Sequence, residues 1–157
     1  MDKFLKQNLL LISVFITGAC VLIIEVVAVR VLSPHYGNTI FTVSSVISVI
    51  LAALSIGYYA GGKFADRHPS LRWFFGIILV SGLVVLIIHF LGTIILPILS
   101  TSLSLVSGPL VSSLLLFLAP AILLGTLSPY AIKLQSVQVP EQGVGSVSGK
   151  IFFWSGN

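Results

Sequence analysis

The stretch LLLISVFITGACVLIIEVVAVRVL, Leu9 to Leu32, decides the fold. It holds a single acid, Glu25, and a single base, Arg30, in an otherwise uncharged run. A helix rises about 1.5 Å per residue, so about 20 apolar residues cross the ~30 Å hydrocarbon core of a bilayer. Three more runs of similar length follow, at about Thr39 to Gly62, Trp73 to Leu99 and Pro109 to Ile132. Lipid offers the backbone no hydrogen-bond partners, so runs of this kind form helices. The expected fold is all-α: a polytopic transmembrane helical bundle. It forms one domain over residues 1–157, with full spans at about 9–32, 39–62, 73–99 and 109–132.

Composition agrees. Of 157 residues, 57 % are hydrophobic and 8 % charged, against about 25 % charged in an ordinary soluble domain. A water-soluble fold of this length could not cover so much apolar surface. The net charge of +4 is spread along the chain with no basic run interleaved with aromatics, which argues against nucleic-acid binding. Cys20 is the sole cysteine, so an internal disulfide is impossible and a thiolate metal cluster is not expected. Lys3 and Lys6 ahead of an apolar run, with Thr17-Gly18-Ala19-Cys20 inside it, have features of a cleaved leader. The run continues to Val29, however, and a leader has a short core followed by a polar chain.

Between the runs, Ser33-Pro34-His35-Tyr36-Gly37-Asn38 reads as a turn, because Pro and Gly punctuate it. Lys63 to Arg72 is a charged connection, and Ser100 to Gly108 is an uncharged Ser/Thr/Gly linker. Lys133 to Gly149 is polar and includes Pro140 and Glu141. Lys150-Ile-Phe-Phe-Trp-Ser-Gly-Asn157 turns apolar again but is too short to span. It is either an interfacial aromatic anchor or the start of a truncated fifth helix.

The basic residues set an orientation. With the N-terminus inside, Lys3, Lys6, Lys63, Arg67, Arg72, Lys133 and Lys150 face the cytoplasm and Arg30 alone lies outside. Cytoplasmic loops carry the excess of Lys and Arg, so both termini are expected in the cytoplasm of a multi-pass cell-membrane protein.

Several residues could carry function. Glu25 lies about 10 Å below the end of its span. A carboxylate at that depth is costly unless it is paired, protonated or facing water. It suits proton or cation coupling, or it is a structural group bonded to another helix while Arg30 snorkels to the interface. The spacing of five residues is poor for a direct Glu25–Arg30 bond along one helix. Ser44, Ser48, Ala52, Ser55 and Tyr59 recur at steps of four, four, three and four, so they share one face of the second span. That face either lines a polar cavity or packs closely on another helix. His89 lies within the third span, with no metal-type residue three or four positions away, so no metal site is expected. The fourth run holds Pro109, Pro120 and Pro129 with Gly125. Proline kinks a helix, and broken helices line substrate sites in many transporters. No phosphate-binding glycine loop and no nucleophile with a base and an orienting acid is visible, so no catalytic site and no cofactor is expected.

Two stretches resemble known families. Gly62-Lys-Phe-Ala-Asp66-Arg67, followed by Arg72, resembles the inside loop between the second and third helices of major facilitator transporters. In such a turn Asp66 could cap a helix N-terminus. His68-Pro69 stands where that motif has its second glycine. A longer resemblance covers most of the chain. Leu22-Ile-Ile-Glu25-Val-Val-Ala-Val-Arg30, Gly37-Asn-Thr39 and Gly57-Tyr-Tyr-Ala-Gly61-Gly62-Lys-Phe-Ala-Asp66-Arg67 are its first matching stretches. Leu124-Gly-Thr-Leu-Ser-Pro-Tyr130 and Gly145 to Asn157 complete it. They look like the membrane region of proteins that join a major-facilitator-like bundle to a spermidine-synthase-like domain. The resemblance implies a membrane module that anchors a cytosolic aminopropyltransferase-like domain or protein, or that moves a small cationic solute. Glu25 and Arg30 are its signature charges, and Ser48, Ser55, Tyr59 and His89 are further candidates for substrate or ion coupling. Nothing resembling the family's catalytic half occurs in these 157 residues, so its enzymatic activity does not carry over. The alternatives are a small transporter unit, which with four helices would work as a homo-oligomer, and a structural subunit of a larger membrane complex.

Overall fold

The computed structural model describes the backbone of residues 3–138 and 144–156. The side chains of Lys3, Lys6 and Lys150, and the whole of Pro140, Glu141 and Asn157, lie outside the described residues. Helices α1 (Lys3–Tyr36), α2 (Ile40–Arg67) and α3 (Leu71–Ser102) are followed by α4 (Ser107–Gly125), α5 (Leu127–Gln138) and α6 (Val144–Gly156). No strand occurs among the described residues. Four segments are long and apolar enough to cross a membrane: Leu9–Tyr36, Ile40–Arg67, Leu71–Ser102 and Ser107–Val137. The expected all-α bundle with four spans is therefore what the chain forms.

The turns are tighter than the sequence suggests. α1 runs through Pro34 to Tyr36, and the Gly37 N–H closes it on the Ser33 carbonyl at 2.8 Å. Gly37 has φ +78°, a left-handed conformation that glycine adopts without the steric cost of a Cβ. Thr39 then caps α2, accepting from Thr42 N–H at 3.3 Å, while the Thr42 hydroxyl donates to the Gly37 carbonyl at 2.9 Å. The α2–α3 connection is only His68-Pro69-Ser70. Ser70, not Asp66, caps α3, accepting from Arg72 N–H at 3.3 Å. Asp66 lies in the last turn of α2, on the wrong side of the connection for that task.

The fourth run is two helices rather than one. Thr126 separates α4 from α5, its N–H shared between the carbonyls of Ile122 (3.1 Å) and Leu123 (3.2 Å). Pro129 is the cause: it has no N–H for the Gly125 carbonyl, and its ring crowds that carbonyl. Pro109 sits in the first turn of α4, where a missing N–H costs nothing.

Packing brings the two ends of the chain's helices into register. Leu10 and Val14 of α1 cluster with Ala65, Phe74, Tyr130 and Leu134, so the start of α1 lies beside the α2–α3 connection and α5. At the other end, Leu32 and Tyr36 cluster with Val46, Leu96 and Leu116. A buried tyrosine pins each end. The Tyr36 hydroxyl pairs with the Ser112 hydroxyl at 2.9 Å. The Tyr130 hydroxyl reaches the carbonyls of His68 and Ser70 and accepts from Ser70 N–H at 3.3 Å.

The most extensive interface joins α2 to α4. Thr42, Val46, Ala53, Gly57, Gly61 and Ala65 form its buried seam on α2. A Cβ on Gly57 would stand 2.5 Å from the Ile122 carbonyl oxygen, and one on Gly61 would collide with the backbone of Thr126. Small residues of this kind let membrane helices approach to backbone contact. α6 packs on α1 and α5, with Trp154 edge-on to Phe15 at 6.2 Å between ring centres.

Candidate functional site

Glu25 sits at the edge of the inward face of α1. That face runs through Leu10, Val14, Thr17, Ala28 and Leu32, all buried, and Glu25 lies beside it, about one turn before Val29 and two before Leu32. The residue is half-buried. Among the described residues it has no hydrogen bond and no ion pair; the ion pair found there joins Lys133 to Asp66 instead. Arg30 is exposed. Five residues along a helix turn through about 500°, which leaves the two side chains about 140° apart. Arg30 therefore faces outward and Glu25 toward the bundle, and they do not pair.

The serine face of α2 also points outward. Ser44, Ser48, Ala52 and Ser55 are exposed, and Tyr59 is 74 % exposed. Ser55 returns its hydroxyl to the Leu51 carbonyl at 2.9 Å. The face that α2 buries is the seam on its opposite side, centred on Gly57 and Gly61. Sequence periodicity found the polar stripe but missed this seam, although the spacing Ala53-Gly57-Gly61-Ala65 was a readable signal.

His89 is exposed on α3, its ring against Phe90 at 5.8 Å. It lies on the wall of a groove of about 240 Å³ between α1, α3 and α4, which His35 also lines. Glu25 does not line this groove. No group of three metal-binding side chains occurs among the described residues.

The connection motif is built as a clamp. Asp66 pairs with Lys133 of α5 at 2.7 Å. With Asp66 65 % exposed, such a pair is worth about 0–1 kcal/mol. Tyr130 supplies the firmer tie, with Phe64, Phe74 and Trp73 in a ring-on-ring cluster beside it. Arg67 and Arg72 are exposed at the same end as Lys63, whose ammonium lies 6.0 Å from the Tyr59 ring centre. Gly62 of the motif meets nothing within 4 Å, whereas its neighbour Gly61 touches Thr126 backbone.

One buried polar residue carries no signal in the sequence. Gln135 of α5 is 1 % exposed, and neither its amide nitrogen nor its oxygen has a partner among the described residues. An unsatisfied buried polar group costs about 1–3 kcal/mol. Gln135→Met keeps the volume and removes both polar atoms. It is expected to raise stability by about 1–3 kcal/mol, read as a higher unfolding midpoint in detergent.

No family model, curated protein or solved structure matches the chain.

Proposed function

We propose that this chain is a membrane module that holds a cytosolic aminopropyltransferase-like partner at the cell membrane, with both termini in the cytoplasm. The observation that carries the reading is the gathering of Lys63, Arg67, Arg72 and Lys133 at one end of the bundle. Tyr130 ties that end together through the carbonyls of His68 and Ser70. A basic face on a pinned connection suits both positive-inside insertion and docking of a soluble partner. The resemblance to spermidine-synthase-like membrane proteins supplies the class of that partner.

Glu25 favours a second reading, movement of a small cationic solute by an oligomer. A half-buried carboxylate at membrane depth without a counter-charge attracts a cation. The groove between α1, α3 and α4 does not serve that role, since it is lined mainly by apolar side chains, has no acidic group and leaves Glu25 out.

Cysteine labelling tests the orientation, and crosslinking and uptake separate the two readings. In a Cys20→Ser background, Asn38→Cys is expected to react with a membrane-impermeant maleimide from outside intact cells, and Arg67→Cys only after lysis. Crosslinked complexes from native membranes are expected to contain an aminopropyltransferase-like protein. Reconstituted protein that takes up labelled spermidine, and loses uptake on Glu25→Gln, would replace the anchor reading by the transport reading.

A further inference from the structure

The outward face of α2 ends in a row of three side chains. Tyr59, Lys63 and Arg67 follow one another at steps of four, so they lie within about 80° of arc around the helix. Lys63 and Arg67 stand about 200° and 240° around α2 from Gly61 of the buried seam. The row therefore faces away from α4, and all three residues are exposed. The Lys63 ammonium lies 6.0 Å from the centre of the Tyr59 ring. At 1.5 Å per residue, Lys63 is about 6 Å and Arg67 about 12 Å beyond Tyr59 toward the α2–α3 connection.

The aromatic residues set the depth of this row. Tyr59 is 74 % exposed and Trp73, in the first turn of α3, is 53 % exposed. Tyrosine and tryptophan gather where hydrocarbon gives way to headgroups, because each ring has an apolar body and a polar tip. Lys63 and Arg67, one and two turns further out, then stand in the headgroup layer.

The charges are unmatched there. Among the described residues this end has four basic side chains, Lys63, Arg67, Arg72 and Lys133, and one acid, Asp66. Asp66 follows Lys63 by three residues, a spacing at which side chains of one helix meet. The fold sends it elsewhere: its carboxylate pairs with Lys133 of α5 at 2.7 Å. Lys63 and Arg67 are left without an acidic partner among the described residues. A second copy of the chain packed in parallel on this row would set each cation against its own counterpart. An anion meets no such repulsion.

We propose that Lys63 and Arg67 hold the phosphate of one anionic phospholipid, with Tyr59 packed beneath against the glycerol and first methylenes. Arginine offers phosphate a planar fork of donors, and lysine adds a compact charge. A zwitterionic lipid brings a choline cation that the row repels. This inference needs the chain to lie in a bilayer. It depends neither on the anchor reading nor on which side this end faces, since aromatic belts mark both interfaces.

The test is native mass spectrometry of the full chain from mild detergent, with phosphatidylglycerol and phosphatidylcholine added in equal amounts. The wild type is expected to retain phosphatidylglycerol about thirtyfold better, the worth of two basic residues at a headgroup. Lys63→Gln and Arg67→Gln are each expected to cut that preference about fivefold, and the double variant to abolish it. Arg67→Lys keeps the charge and is expected to keep most of the preference. Arg30→Gln removes one charge at the opposite end and is expected to change nothing. Equal retention of the two lipids by the wild type would overturn the proposal. So would a loss in Arg30→Gln as large as in Arg67→Gln, which would reduce the effect to net charge. A double variant that keeps its lipid preference but no longer crosslinks to a soluble protein would assign the row to that protein instead.

Discussion

Gly61→Leu is expected to destabilise the bundle by more than about 3 kcal/mol, beyond the usual range for overpacking. The reason lies in what the new side chain would meet. A Cβ at Gly61 falls on the carbonyl oxygen, Cα and carbonyl carbon of Thr126, which are backbone atoms. A flexible side chain could yield by rotation, but a backbone can yield only if the helix moves. Thr126 is already the junction between α4 and α5, with its N–H shared between two carbonyls. Separating α2 from this junction would also pull Gly57 from the Ile122 carbonyl and Gly125 from the Leu54 carbonyl, 3.1 Å from its Cβ position. Gly62→Leu is the matched control. The position is adjacent and equally helical, yet nothing lies within 4 Å of its Cβ. It is expected to change stability by less than about 0.5 kcal/mol, as outward-facing substitutions do. Unfolding midpoints of the two variants in one detergent check the pair. Equal losses would show that the α2–α4 contact is not the backbone contact described here.

The second large effect is expected at Tyr130. Its side chain is fully buried among Leu10, Val14, Ala65 and Phe74, and its hydroxyl holds the α2–α3 connection. Tyr130→Ala removes both contributions and is expected to cost about 3–5 kcal/mol, the range for truncating a buried aromatic. Tyr130→Phe removes only the hydroxyl. It leaves the Ser70 N–H and the two carbonyls without that partner and is expected to cost about 1–3 kcal/mol. The two variants also differ in where the damage appears. Tyr130→Phe is expected to speed maleimide labelling at a cysteine placed at Ser70, with the rest of the bundle intact. Tyr130→Ala is expected to loosen the whole end, because α1, α2, α3 and α5 meet there.

The connection motif shows how far a sequence pattern can be read. Asp66, Arg67 and Arg72 announce a charged turn, and the turn is there, at His68-Pro69-Ser70. The pattern did not reveal which groups hold it. Asp66 bonds sideways to Lys133, a partner 67 positions on, and the main tie is Tyr130, which no local spacing links to Ser70. Both bonds join segments far apart in the chain, so they exist only once α5 has packed beside the connection. Likewise Pro129 signals a bend, but α2 fills the site of that bend with Gly57 and Gly61 instead of leaving a cavity.

What the sequence by itself determined is the number of spans and the ends at which charges gather. Both follow from transfer between water and lipid, which each segment satisfies locally and without reference to its neighbours. What only the tertiary structure decided is which side of each helix faces inward. In a soluble helix the apolar stripe marks the buried face, but in lipid both faces of a span are apolar and the stripe carries no such information. Shape chooses instead. α2 turns its glycine seam to α4, where backbones can touch, and leaves Ser48, Ser55 and Tyr59 outside. The same rule turned Arg30 outward and Glu25 inward: their separation around α1 was fixed by spacing, and the direction of the pair by how α1 packs on its neighbours.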